Sequence, residues 1–191
     1  MPYAYYARLA PRQRAIYRRS NETEAIGLPG AAALRPLVGP LESALGAADR
    51  ARVQRAAQAL ADGLLASLAV RGVKVKVLSR RPSTSASELH GLYELAEARA
   101  APVITVWMRT AANQRVVAFR TFVRTLLHEL CHHLDYELLE LPDSFHTEGF
   151  FKRESSLFKQ LVAGSLRDPR SDKRRSRRRA SRSQSPLRAR L

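Results

Sequence analysis

Residues 126–134 read Leu126-Leu127-His128-Glu129-Leu130-Cys131-His132-His133-Leu134, and the rest of the chain is read outward from them. An α-helix turns about 100° per residue, so His128 and His132 lie about 40° apart, one turn along the same face. Both imidazoles can then reach one metal ion, and an H-E-x-x-H segment is the spacing that zinc chemistry uses. Glu129 lies about 100° round from His128, off the ligand direction but within reach of a water on the metal. The helix has its own support. From Gln114 to about Leu139, Phe119, Val123, Leu126, Leu127, Leu130, Leu134 and Leu138 form one broad apolar face, and Pro142 ends the run. The two histidines point away from that face, towards a cleft. His133 lies about 140° round from His128 and is a poor ligand. Asp135, near His132 and one turn on, is placed to orient a ligand histidine. Cys131 reads as a small core residue.

A catalytic zinc takes three protein ligands and keeps one position open. The candidates for the third are His146, Glu148 and Glu154. They follow the short link Asp143-Ser144-Phe145, on or before a last helix that runs to about Val162, with Gly164 as its stop. His146 is favoured because neutral imidazole suits zinc and because it begins a fresh element after the proline reversal. Glu154 serves an alternative scheme in which a second-helix glutamate completes the site. The longer pattern H-E-x-x-H-x-x-G-x-x-H does not fit, since Asp135 and Leu138 stand where it needs Gly and His. A methionine turn is excluded too, because the only methionines are Met1 and Met108. The expectation is one zinc per chain.

Upstream, Leu41 to Val70 is rich in Ala, Leu, Arg and Gln without proline, and reads as one long amphipathic helix ending near Gly72. Val73, Val75 and Val77 alternate with lysines as a half-buried strand. His90–Leu95 reads as a second short strand, and Pro102–Met108 as the clearest one by composition. The loops between them are too brief for helical crossovers, so antiparallel pairing is expected. The first 40 residues hold Pro2, Pro11, Pro29, Pro36 and Pro40 and read as irregular. The fold class is therefore α+β: a long N-terminal helix, a three-stranded antiparallel sheet, the H-E-x-x-H helix and a final helix. A peptide could lie along the Pro102–Met108 or His90–Leu95 edge. His90, Tyr93 and Tyr136 are candidates for stabilising an oxyanion, with ordinary packing as the alternative.

The chain has 191 residues, 45% hydrophobic, with net charge +16. That suits one domain with tails and excludes disorder for most of the length. One cysteine rules out an intramolecular disulfide. No run of 18 apolar residues appears, and the opening residues do not resemble a secretory signal. A cytoplasmic protein with no membrane contact is expected. The charge is concentrated at the end, where residues 167–191 hold 11 Lys+Arg against 2 Asp, or +9. This Arg/Ser-rich stretch reads as disordered and as a non-specific contact for DNA or RNA. It has no interleaved aromatics to stack on bases.

The segment LLHELCHHLDYELLELPDSFHTEGFF, residues 126–151, resembles the SprT-like zinc metallopeptidases. The resemblance covers roughly residues 41–163 and rests on the H-E-x-x-H helix, a histidine on the next element, and the aromatic Phe150 shortly after it. It implies a zincin-like core over residues 41–165, flanked by segments 1–40 and 166–191. It also implies His128, His132 and His146 as zinc ligands and Glu129 as general base in the hydrolysis of protein or peptide substrates. No zinc-ribbon cysteines follow the core. Two rival readings stand beside it. One is a non-catalytic, zinc-stabilised nucleic-acid-binding or adaptor module. The other is a metal hydrolase with a non-peptide substrate.

The tail makes a first prediction. A chain truncated after Gly164 should hold zinc normally yet bind nucleic acid far more weakly than the full chain. The full chain's affinity should fall by orders of magnitude with salt if about six phosphates are contacted. A salt titration on two unrelated duplexes checks this. Identical affinity for both chains would reduce the tail to a solvated extension.

Overall fold

The computed structural model describes residues 3–82, 89–96 and 100–162. The basic tail, the Gly164 stop and most of the 80–87 loop lie outside the described residues. The helices are α1 Pro11–Glu22, α2 Ala31–Leu34, α3 Val38–Gly46, α4 Arg50–Ser67, α5 Phe119–Glu137 and α6 Glu148–Val162, and the strands are β1 Lys74–Arg80, β2 Gly91–Glu94 and β3 Val103–Arg109. Two 3-10 turns, Ala4–Arg8 and Arg35–Leu37, precede α1 and α3. No helix among the described residues is long and apolar enough to cross a membrane.

Three expectations are corrected. The described part of the first 40 residues is largely helical, because Pro11, Pro36 and Pro40 lie at helix starts rather than breaking helices. Pro11 is the first residue of α1, where a missing N–H costs nothing, and the Ala10 N–H donates to Gln13 Oε1 at 3.0 Å. Pro36 and Pro40 likewise sit at the start of a 3-10 turn and in the first turn of α3. The long helix expected over residues 41–70 is two helices. Ala48 adopts φ 53°, and Asp49 caps α4 by accepting the Arg52 N–H at 3.0 Å.

The sheet, third, is mixed. Its order is β1-β3-β2, with β1 parallel to β3 and β2 antiparallel to β3. After β1 the chain passes to the far side of β3 and returns as β2, so β2 is itself the reversing run. A parallel pair then needs no helical crossover.

One face of the sheet carries the core. Val75, Val77, Ile104, Val106 and Met108 point inward and are at most 2% exposed. They pack with α4 and α5, whose Leu60, Leu64, Leu126, Leu130 and Leu134 are fully buried. The outer edge of β1 is closed by α4 in an unusual way. Gln54 donates to the Val75 carbonyl (2.6 Å) and accepts the Val77 N–H (2.7 Å). Gln58, one turn on, does the same for the Val73 carbonyl (2.9 Å) and the Val75 N–H (2.8 Å). Two carboxamides thus stand in for a neighbouring strand and satisfy an edge that would otherwise recruit one. With β3 central and β1 covered, β2 keeps the open edge among the described residues.

The start of α6 is fixed against the end of α1. Thr147 Oγ1 accepts the Phe150 N–H at 2.9 Å as a helix cap, and Asn21 Oδ1 accepts the Gly149 N–H at 3.0 Å. A Cβ on Gly149 would meet the Asn21 carbonyl oxygen at 2.5 Å and that of Ser20 at 2.7 Å, both backbone atoms. Gly149→Ala should therefore push the two helices apart and destabilise the fold by about 2 kcal/mol. Thermal unfolding checks this, and an unchanged midpoint would mean the contact yields freely.

Candidate metal centre

α5 carries His128, Glu129, His132 and His133 as the sequence placed them, and the turn before α6 delivers His146. Nε2 of His146 lies 3.0 Å from Nε2 of His128 and 3.0 Å from Nε2 of His132. The three ligand atoms all fall within 4.8 Å of one another. His128 and His132 are half-buried and His146 is exposed, so the cluster opens to solvent on one side.

The other ring nitrogens fix the tautomers. His128 Nδ1 lies 3.2 Å from Glu154 Oε2, and a carboxylate can only accept, so Nδ1 carries the proton. His132 Nδ1 lies 2.7 Å from Ser144 Oγ, while that hydroxyl donates to Asp135 Oδ2 at 2.8 Å. The hydroxyl proton is committed to Asp135, so His132 Nδ1 is again the donor. The Nε2 lone pairs of both rings therefore point at the third imidazole. Such a group of lone pairs is stabilised by a cation among them, and the site resists a proton. Burial and the neighbouring rings push His132 down to about 3 and lower His146 as well. Two nitrogens on a tetrahedral zinc lie about 3.3 Å apart, close to the spacing seen. The donor set fits zinc.

Glu154 is thus placed on the far nitrogen of His128 rather than in the cluster, and Glu148 pairs with Lys152 at 3.2 Å on an exposed face. Asp135 does not touch His132; it acts through Ser144, a role that no motif in the chain announces. His133 is not in the cluster. It donates from Nε2 to the Arg71 carbonyl at 2.7 Å and receives the Tyr93 hydroxyl on Nδ1 at 3.0 Å. Cys131 is fully buried, and burial pushes its thiol far up.

The segment bearing His146 is held from several sides. Tyr5 Oη donates to the His146 carbonyl at 2.9 Å. Phe150 packs edge-on against His128, 4.9 Å between ring centroids, and lies tilted against His132 at 4.7 Å. Deeper in, Arg153 is wholly buried and pairs with Asp135 at 2.7 Å, while its other nitrogen donates to the Ser20 and Thr23 carbonyls that end α1.

Glu129 faces β2. Gly91 and Tyr93 point to the helix side of the sheet, against Glu129 and His133 respectively. The match is geometric: two strand residues rise about 6.6 Å and four helical ones about 6 Å. A Cβ on Gly91 would lie 2.7 Å from both Cγ and Cδ of Glu129, so the glycine makes room for the carboxylate. Burial raises the Glu129 carboxyl from 4.5 to about 7, against a smaller lowering by His128. That cost, roughly 3 kcal/mol against the charged form, is less than the four buried leucines of α5 contribute at about 2 kcal/mol apiece.

These groups line a cavity of about 640 Å³, which also takes in Leu89, His90, Leu92, Tyr93, Arg124 and Tyr136. Of the oxyanion candidates, all three line it, but the Tyr93 hydroxyl is spent on His133. No protein-family model, curated protein or solved structure matches the chain.

The ligand assignment predicts about one zinc per chain. His146→Ala should lower zinc affinity sharply, Glu154→Gln by about tenfold as a lost outer partner, and His133→Ala should leave zinc stoichiometry unchanged. Metal analysis with competitive chelation checks all three. Equal affinity in His146→Ala and the unaltered chain would dismiss His146 as a ligand.

Proposed function

We propose that the chain is a zinc-dependent peptidase. The observation that carries this reading is the convergence of three imidazole Nε2 atoms beside a buried carboxylate, Glu129, in one open cavity. His128, His132 and His146 would hold a zinc ion, which would supply Lewis acidity for a bound water and a scissile carbonyl. Glu129 accepts the proton of the attacking water and returns it to the leaving amine. Burial favours the protonated form of this carboxyl and a zinc ion beside it would favour the charged one, opposing influences that suit a group that both takes and returns a proton. The substrate would join β2 as an added strand, since the Pro102–Met108 edge is excluded by pairing on both sides of β3.

The adaptor reading needs a closed site with a fourth protein ligand. Among the described residues the convergent set holds only the three histidines, and Glu154 is turned to Nδ1 of His128. This favours the enzyme. A role with nucleic acid and a cytoplasmic location belong to the same proposal; the first rests on the charge of the tail.

Glu129→Gln separates binding from catalysis. Zinc should stay bound while hydrolysis of unfolded protein falls by about a hundredfold or more. Normal turnover would overturn the mechanism, and loss of zinc would make Glu129 structural. The same variant has a pH signature in chelator-treated protein. A carboxyl raised from 4.5 to about 7 holds its proton in the folded state longer than in the unfolded one. Its contribution to stability is complete below pH 4.5 and is lost as pH rises to 7. Glu129→Gln should then be more stable than the unaltered protein above pH 7, by about 3 kcal/mol. The gap should close on acidification, as denaturant titrations at several pH values would show.

A further inference from the structure

We propose that Arg124 is the substrate-recognition residue of the cleft. Resting on the peptidase reading above, the inference is that its guanidinium receives a carboxylate of the bound peptide, one or two residues from the bond to be cut. Arg124 precedes His128 by one turn of α5, about 6 Å along the axis, and lines the same cavity. Its position is set by α6. Nη1 donates to Glu154 Oε1 at 3.2 Å, and the guanidinium carbon stands 4.2 Å over the Phe158 ring. Glu154 and Phe158 are themselves one turn apart, so one edge and one face of the planar group are clamped.

The clamp leaves most of the donors unspent. A guanidinium has five N–H groups in a fixed fork that matches a carboxylate. The Arg124 side chain remains 44% exposed. Holding it in place before a ligand arrives removes much of the entropy cost of binding. Apart from the zinc that the histidines would hold, Arg124 is the one cationic side chain lining the cavity among the described residues. The other charged members are acidic, Glu129 and Glu154, and the β2 side presents the exposed Leu89 and Leu92. A carboxylate that is not on the metal therefore has Arg124 as its favourable protein partner. Each peptide residue spans about 3.5 Å, so a carboxylate on Arg124 brings a bond one or two residues away over the histidines. The carboxylate can be the free C-terminus of the substrate or an acidic side chain.

The alternative is that Arg124 only balances the charge of Glu154. That role would alter zinc affinity but not preference among peptides, so peptide charge is the readout. Fluorescently labelled peptides are titrated against zinc-loaded Glu129→Gln protein by anisotropy. One pair differs as free C-terminal acid against amide, the other as internal Glu against Gln. The expected result is about tenfold or tighter binding of the carboxylate member in one pair. Arg124→Gln should abolish the preference at unchanged zinc content, and Arg124→Lys should restore it in part. The first pair responding means a C-terminal carboxylate; the second means an acidic side chain. Equal affinity within both pairs, a preference that survives Arg124→Gln, or no binding of any peptide overturns the proposal. Hydrolysis without charge preference would remove the role of Arg124 and leave the peptidase standing. Charge-selective binding by a zinc-loaded, unaltered protein that cuts nothing would do the reverse.

Discussion

The buried pair of Asp135 and Arg153 is the constraint on which the rest depends. Both side chains are fully inaccessible, and they join α5 to α6 at 2.7 Å. An isolated charge in such a place is prohibitive, so each needs the other, and removing either partner costs about 3–5 kcal/mol. The other terminal nitrogen of Arg153, Nη1, takes the carbonyls of Ser20 and Thr23 at the end of α1, where a cation is favoured by the helix dipole. The free oxygen of Asp135 takes the Ser144 hydroxyl, which in turn receives the proton of His132. One ion pair thus sets the relation of three helices and the orientation of the His132 ring. A different register between α5 and α6 would strand both charges.

Around that anchor, the two ligand-bearing elements are braced by segments far away in sequence. The N-terminal turn contributes Tyr5 to the His146 carbonyl, and α1 lends Asn21 to the first turn of α6. Glu154 connects the outer nitrogen of His128 with Arg124, so the electrostatics of the metal cluster and of the cleft wall share one carboxylate. The proton positions follow from this bracing. Both outer nitrogens on α5 face acceptors, which leaves the inner lone pairs directed at a common point.

The sheet serves the same site by elimination. Its parallel pair is closed on the outside by Gln54 and Gln58, and the central strand has no free edge. Among the described residues β2 alone keeps an open edge, and β2 is also the strand whose glycine admits Glu129. The open edge and the placement of the Glu129 carboxylate are consequently tied to one four-residue segment. Gly91 carries no sequence signature for this role; its importance lies in what occupies the space where a Cβ would be.

The sequence by itself determined whatever depends on neighbours along the chain. The spacing of His128 and His132 fixes their common face, because four residues make about one turn wherever a helix forms. Alternation around Val75 and the β-branched run at Val103–Met108 fixed strands for the same local reason. Even the Asp49 cap is legible along the chain, between two helices whose composition reads as one. Tertiary structure decided what depends on distance in space. Whether His146 or Glu154 completes the triad turns on the register of α6 against α5, which the buried Arg153 sets. Whether β1 runs parallel or antiparallel to β3 turns on where β2 is laid down. No local propensity separates these alternatives; they differ only in which long-range hydrogen bonds and charges find partners, and a buried charge left unpaired is costly.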